Sequence, residues 1–135
     1  MNPEDAVGKR VQLEILLKWD LKFSEGTIIR VEIHPETSFV HYLVELDSPL
    51  AFEPHERRRF WGRKRFPEIV TRSYVEVQIR RPEALEEELN GHVFSEFSAP
   101  LLQAARSEEV LDKPKEEIEL GDRYMLGPGR IRLIE

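Results

Sequence analysis

Apolar and polar residues alternate through much of the first eighty positions. In KRVQLEILLKW, residues 9–19, Val11, Leu13, Ile15, Leu17 and Trp19 share one face, and Arg10, Gln12, Glu14 and Lys18 share the other. Leu16 is the exception. Side chains on a strand point alternately to opposite faces, so this pattern predicts a half-buried strand rather than a helix. The polar stretch DLKFSEG reads as a turn ending at Gly26. Residues 27–34 then set Ile29, Val31 and Ile33 against Arg30, Glu32 and His34. PETS, opened by Pro35, is a second turn. Residues 39–47 carry Val40, Tyr42, Val44 and Leu46 on one face, with His41, Glu45 and Asp47 opposite. Three strands joined by short turns predict an antiparallel meander.

Beyond an insertion at 51–68, a fourth strand is expected at 69–80, with Val75, Val77 and Ile79 inward and Glu76, Gln78 and Arg80 outward. A helical, acidic excursion is expected over 82–119. Pro82 suits a first helical turn and Asn90-Gly91 a stop, which makes EALEEEL a short helix. SAPLLQAAR is a second, with Ser98 as its cap. SEEVLDKPKEEIE reads as a surface linker. Gly127-Pro128-Gly129 reads as a turn, and Ile131 and Leu133 alternate with Arg130 and Arg132 in a last strand at 130–135. Several short two-faced strands predict a small barrel, in which the last strand pairs with an early one. The whole chain, 1–135, is expected to be one mainly β domain.

The segments GKRVQLEIL, GTIIRVEI and HYLVELDSPL resemble SH3-like small barrels of the Tudor and KOW type. There too a glycine precedes the second strand and a V-x-L-D ends the third. The resemblance spans about the first 50 residues plus the strand near Val77 and implies a fold, not a particular family. Barrels of this kind bind RNA, DNA, peptides or neighbouring domains and rarely do chemistry. The Tudor likeness also implies an aromatic cage at Trp19, Phe23, Phe39 and Tyr42, which would hold a methylated cation. Trp19 and Tyr42 continue the inward faces, so core packing competes with that use.

With 135 residues, 40% hydrophobic and 34% charged, the chain has the composition of a folded domain with a real core. No apolar run is long enough to span a membrane as a helix. MNPEDAVGKR lacks the charged-then-apolar pattern of a secretory signal, so a cytoplasmic location is expected. There is no cysteine, which removes disulfides, thiolate nucleophiles and cysteine metal sites.

The net charge of −6 is unevenly spread. Six of the ten residues Arg57–Phe66 are basic and none is acidic, leaving 14 basic against 26 acidic residues elsewhere. Residues 81–119 hold four basic and eleven acidic side chains. The chain therefore combines a basic island with an acidic later third.

No phosphate-binding loop, dinucleotide fingerprint or nucleophile elbow is present. His34, His41, His55 and His92 are scattered. His34 and His41 flank one hairpin and can meet across it, but two imidazoles fall short of the three protein ligands of a catalytic metal. Neither a metal nor another cofactor is expected, and the chain is not read as an enzyme. The candidate contact residues are Arg57, Arg58, Arg59, Phe60, Trp61, Arg63, Lys64 and Arg65. Guanidinium forks match phosphate oxygens, and aromatic rings stack on bases. The stretch ERRRFWGRKRF resembles the arginine-rich entry of PilZ domains, which bind a cyclic dinucleotide. The D/N-x-S-x-x-G element that follows in that family is missing from EIVTRSYVEVQIRRPEALEEELNG, and the preceding strands fit it poorly. Three uses of the island stay open: contact with a polyanion such as RNA or DNA, contact with an acidic protein partner, and a structural role against the chain's own acidic segments.

Overall fold

The computed structural model describes residues 2–17, 20–34, 36, 38–52, 69–80, 89–95, 109–110, 114–121 and 124–134. Seven strands run through them: β1 Arg10–Leu17, β2 Asp20–His34, β3 Phe39–Phe52, β4 Ile69–Ile79, β5 Leu89–Ser95, β6 Glu109–Val110 and β7 Tyr124–Ile134. Six of these close into an antiparallel barrel in the order β3-β2-β1-β7-β5-β4, with β4 returning to β3. The short β6 adds parallel to the start of β4, at Ile69 and Val70. The expected small barrel is present, with six barrel strands where the alternation marked five. As the pattern anticipated, β7 pairs with β1, from Arg10 opposite Ile134 to Ile15 opposite Gly129.

The inward faces follow the alternation closely. Val11, Leu13, Ile15, Leu17, Val40, Tyr42, Val44, Leu46, Val75, Val77, Ile79 and Ile131 all lie in one buried cluster. Burial of such side chains stabilises the fold by about 1.5–3 kcal/mol each. In β2 the phase slips. A bulge between Ile28 and Arg30 turns Ile28 into the core before it and Val31 toward the core after it. Ile33, expected inside, is exposed at the far end of the strand.

Four boundaries differ from expectation, each for a local reason. DLKFSEG is strand rather than turn, because Leu21 and Phe23 face out of the barrel and left no inward apolar signal. β3 continues past Asp47 through the exposed Ser48 and Pro49 to Phe52. LNGHVFS is strand β5, not a helix end. Val93 is the one fully buried apolar side chain among its described ones, and a Cβ on Gly91 would lie 2.7 Å from the Gln78 carbonyl. Gly127-Pro128-Gly129 is strand as well. At Gly127 a Cβ would come within 2.2 Å of the Leu16 carbonyl, so glycine lets β7 press close against β1. Among the described residues the only helical turns are 3-10, at Pro3–Ala6 and Lys115–Glu117. Leu89 and the Asn90-Gly91 stop belong to β5. The rest of the helix expected at 83–89, and that at 98–106, lie outside the described residues.

Strand direction alternates around the barrel, which sorts its ends. Leu17 opposite Asp20, Phe52 opposite Val70 and Ser95 opposite Tyr124 all fall at one end. Both anchors of the 53–68 connection are therefore fixed at that end.

Candidate functional site

All eight basic-island candidates, Arg57, Arg58, Arg59, Phe60, Trp61, Arg63, Lys64 and Arg65, lie outside the described residues. What the structure fixes is the frame around them. The island joins two adjacent strands whose last pair is Phe52 opposite Val70.

The same end carries unusual apolar exposure. Leu16 on β1 lies directly opposite Leu21 on β2, and they are 45% and 47% exposed. Phe23, one step further on the same outer face, is 64% exposed, and Met125 near the start of β7 is exposed too. The barrel also splays here. β2 and β3 are paired from His34 opposite Phe39 as far as Gly26 opposite Leu46. Among the described residues, Asp20–Glu25 then pair with β1 alone, which leaves their other backbone edge without a strand neighbour.

A polar latch sits where the two strands part. Arg10 grips Asp47 with both terminal nitrogens, Nη1 donating to Oδ1 at 2.7 Å and Nη2 to Oδ2, and Nη1 also donates to Thr27 Oγ1 at 3.1 Å. Glu25 lies 3.6 Å from the same guanidinium. The hydrogen bond from Arg10 holds the Asp47 carboxyl below the usual carboxylate range, although partial desolvation works against it. The same bond pushes the Arg10 guanidinium further up. The latch ties β1 to β3 across β2, at the point where the β2–β3 ladder stops.

A second polar assembly lies on the outer face of β3 and β4. His41 and Leu43 alternate with the core-facing residues and so point away from the barrel axis, yet both are buried. Residues 118–121 are tied to the same face through Arg30, Glu76 and Gln78. Residues 114–119 belong to the expected surface linker; Glu116, Glu117 and Glu119 are indeed exposed, but Ile118 is buried. Glu76, also buried, accepts hydrogen bonds from His41 Nδ1, from Gln78 Nε2 at 3.0 Å and from the Gly121 amide at 3.2 Å. Gln78 Nε2 also donates to the Gly121 carbonyl at 3.1 Å, and Arg30 Nη2 donates to the carbonyl of Ile118. The strap is thus held by one apolar side chain and a set of charge-assisted hydrogen bonds, which are stronger than neutral ones.

His34 and His41 do meet across their hairpin, with ring centroids 4.1 Å apart. His41 is not the solvated residue the outer-face pattern suggests. No group of three or more metal-ligating side chains forms among the described residues. The aromatic cage does not assemble from its described members. Tyr42 is fully buried in the barrel, where desolvation pushes its phenol up to about 12. Phe23 lies on the outer face at the splayed end, whereas Phe39, opposite His34, lies at the far end of β3. Arg72, opposite Leu50, is a fully buried arginine that no sequence pattern marked, and its Nη1 donates to the Thr71 carbonyl at 3.2 Å.

Comparisons with models of known families, with curated proteins and with solved structures return no match.

Proposed function

We propose that the protein is a non-enzymatic binding module that contacts a polyanion, RNA or DNA, at the splayed end of the barrel. Arg57, Arg58, Arg59, Arg63, Lys64 and Arg65 would supply phosphate contacts, with Phe60 and Trp61 stacking on bases. One observation carries the reading: the connection holding the island is anchored at Phe52 and Val70, at the barrel end where Phe23 stands exposed. Six cations in ten residues with no acidic residue among them form a local electrostatic footprint, and an exposed aromatic ring at the same end of the barrel offers a base a stacking platform.

The test is fluorescence anisotropy with labelled single-stranded RNA and double-stranded DNA, at salt of about 50 and about 200 mM, where several phosphate contacts cost orders of magnitude in affinity. Binding that falls steeply with salt and is lost when Arg58, Arg59, Arg63 and Arg65 are changed to Ser supports the proposal. Absence of binding at the lower salt refutes it.

A second reading, an acidic protein partner bound through the same segment, draws on the Leu16–Leu21 pair. Phosphate backbones have no use for this apolar surface, whereas protein interfaces bury such side chains. Under this reading, removing the four arginines abolishes capture of the partner while nucleic-acid titrations stay flat.

A further inference from the structure

We infer that the edge of β2 at Asp20–Lys22, which has no strand neighbour beyond β1 among the described residues, is a docking strand for the same edge of a second copy of this chain, forming a two-fold dimer through a continuous sheet. The inference stands apart from the polyanion reading and uses only residues outside the basic island.

Its first support is the backbone. A strand with one unpaired edge presents a row of donors and acceptors that templates another strand, and protection usually comes from proline, a bulge or a covering segment. β2 is paired with β1 over 20–25, while β3 leaves the ladder after Leu46 through the exposed Asp47, Ser48 and Pro49. Among the described residues nothing covers the edge, and 20–25 contains no proline.

The second support is the side-chain order, which is complementary to itself. Leu21 points to the outer face, and its neighbours Asp20 and Lys22 share the opposite face, where their side chains lie 3.2 Å apart. Antiparallel pairing centred on Leu21 sets Leu21 against Leu21 of the other copy. Each Asp20 then falls opposite Lys22 of the other copy, twice by symmetry. On the outer face the Leu16–Leu21 pair of each copy joins into one apolar row of four leucines, with each Phe23 diagonal to Leu21 of the other copy. Cross-strand apolar and opposite-charge pairs are the unit of sheet stabilisation, and like charges directly opposite are unfavourable. A shift of one residue loses this match by setting Leu21 against a charged residue, Asp20 or Lys22, and a shift of two sets Asp20 against Asp20 or Lys22 against Lys22. An isologous contact of this kind closes at two copies instead of growing into a fibre.

A charge-swap experiment tests the arrangement on the full chain by sedimentation velocity, from about 1 to about 100 µM, the range in which a contact of this size is read. The intact protein is expected to shift from monomer to dimer across that range. Asp20→Lys faces two lysines with two more, and Lys22→Asp faces two aspartates with two more. Each variant alone is expected to dimerise about tenfold more weakly or worse. Mixed together, they pair Lys with Asp at every position and are expected to recover a mixed dimer. All three positions are at the surface, so Leu21→Lys, which sets two ammonium groups at the two-fold axis, is a further disruptor that leaves the barrel folded. A protein that stays monomeric at the highest concentration overturns the inference. So does a dimer indifferent to these changes, or one that the mixed variants fail to restore.

Discussion

Glu76 offers the sharpest test of how residues 114–121 are held. Its carboxylate is 3% exposed and accepts from His41, Gln78 and the Gly121 amide. Glu76→Leu keeps an apolar side chain of similar bulk but strands those donors. Leaving a buried donor unsatisfied costs about 1–3 kcal/mol, and Glu76→Leu takes the acceptor from three of them, on His41, Gln78 and Gly121. The expected destabilisation is therefore about 3–5 kcal/mol, a shift of roughly 2 M in a urea midpoint. His41→Leu should cost less, about 2 kcal/mol, because Glu76 keeps Gln78 and Gly121 as donors. The double variant removes donor and acceptor together and should cost less than the sum, with a coupling energy of about 1–3 kcal/mol. Urea unfolding of the four proteins at neutral pH measures the cycle. Amide exchange at Gly121 should quicken in Glu76→Leu and stay slow in a core variant of equal stability. A coupling energy near zero, or a Glu76→Leu cost below about 1 kcal/mol, would refute the account of the strap.

Three other outcomes follow from the barrel. Gly127→Ala forces a Cβ to 2.2 Å from a backbone oxygen of β1, so strands must separate, and thermal unfolding should show a loss of about 2 kcal/mol or more. Tyr42, with its phenol pushed up to about 12, should ionise two units late in a 295 nm absorbance titration. Because its folded value lies above the unfolded one, its contribution is intact below about pH 10 and fades as pH rises toward 12, amounting to about 2–3 kcal/mol, and Tyr42→Phe should flatten that alkaline decline. Asp47, held low by Arg10, has the opposite sign: its contribution is present above about pH 4 and is lost as pH falls through the depressed folded value. A carboxyl-carbon NMR titration should find Asp47 low in the intact protein and near the ordinary range in Arg10→Gln.

What could be read along the chain was whatever one strand states by itself. β1 and the first half of β3 have an apolar residue at every inward position, and their register followed directly. Among its described side chains β5 has Val93 as the one buried apolar residue, between Gly91 and Ser95, so alternation had little to count. The start of β2 carried its apolar residues on the wrong side for a core, and that is what makes it interesting now. The outer polar assembly was illegible for another reason. Its members come from four stretches, around His34, His41, Glu76 and Gly121, which only closure of the barrel brings together. One fragment of it, the meeting of His34 and His41, was accessible because a single hairpin links them. The basic island, the most conspicuous stretch of the sequence, lies outside the described residues; only its anchors are placed.

The seam between β1 and β7 has a consequence for how the chain reaches this state. Arg10 pairs with Ile134, so the ladder that completes the cylinder joins residues more than a hundred positions apart. Contacts of such separation demand a large loop-closure entropy before they return anything, and they slow folding. During synthesis β1 to β5 emerge before β7 exists, and for that interval β1 and β5 each show an open flank to other nascent chains. The glycines that let β7 press against its neighbours therefore serve a second end. They leave room for the last strand between its neighbours, and its arrival covers both open flanks at once.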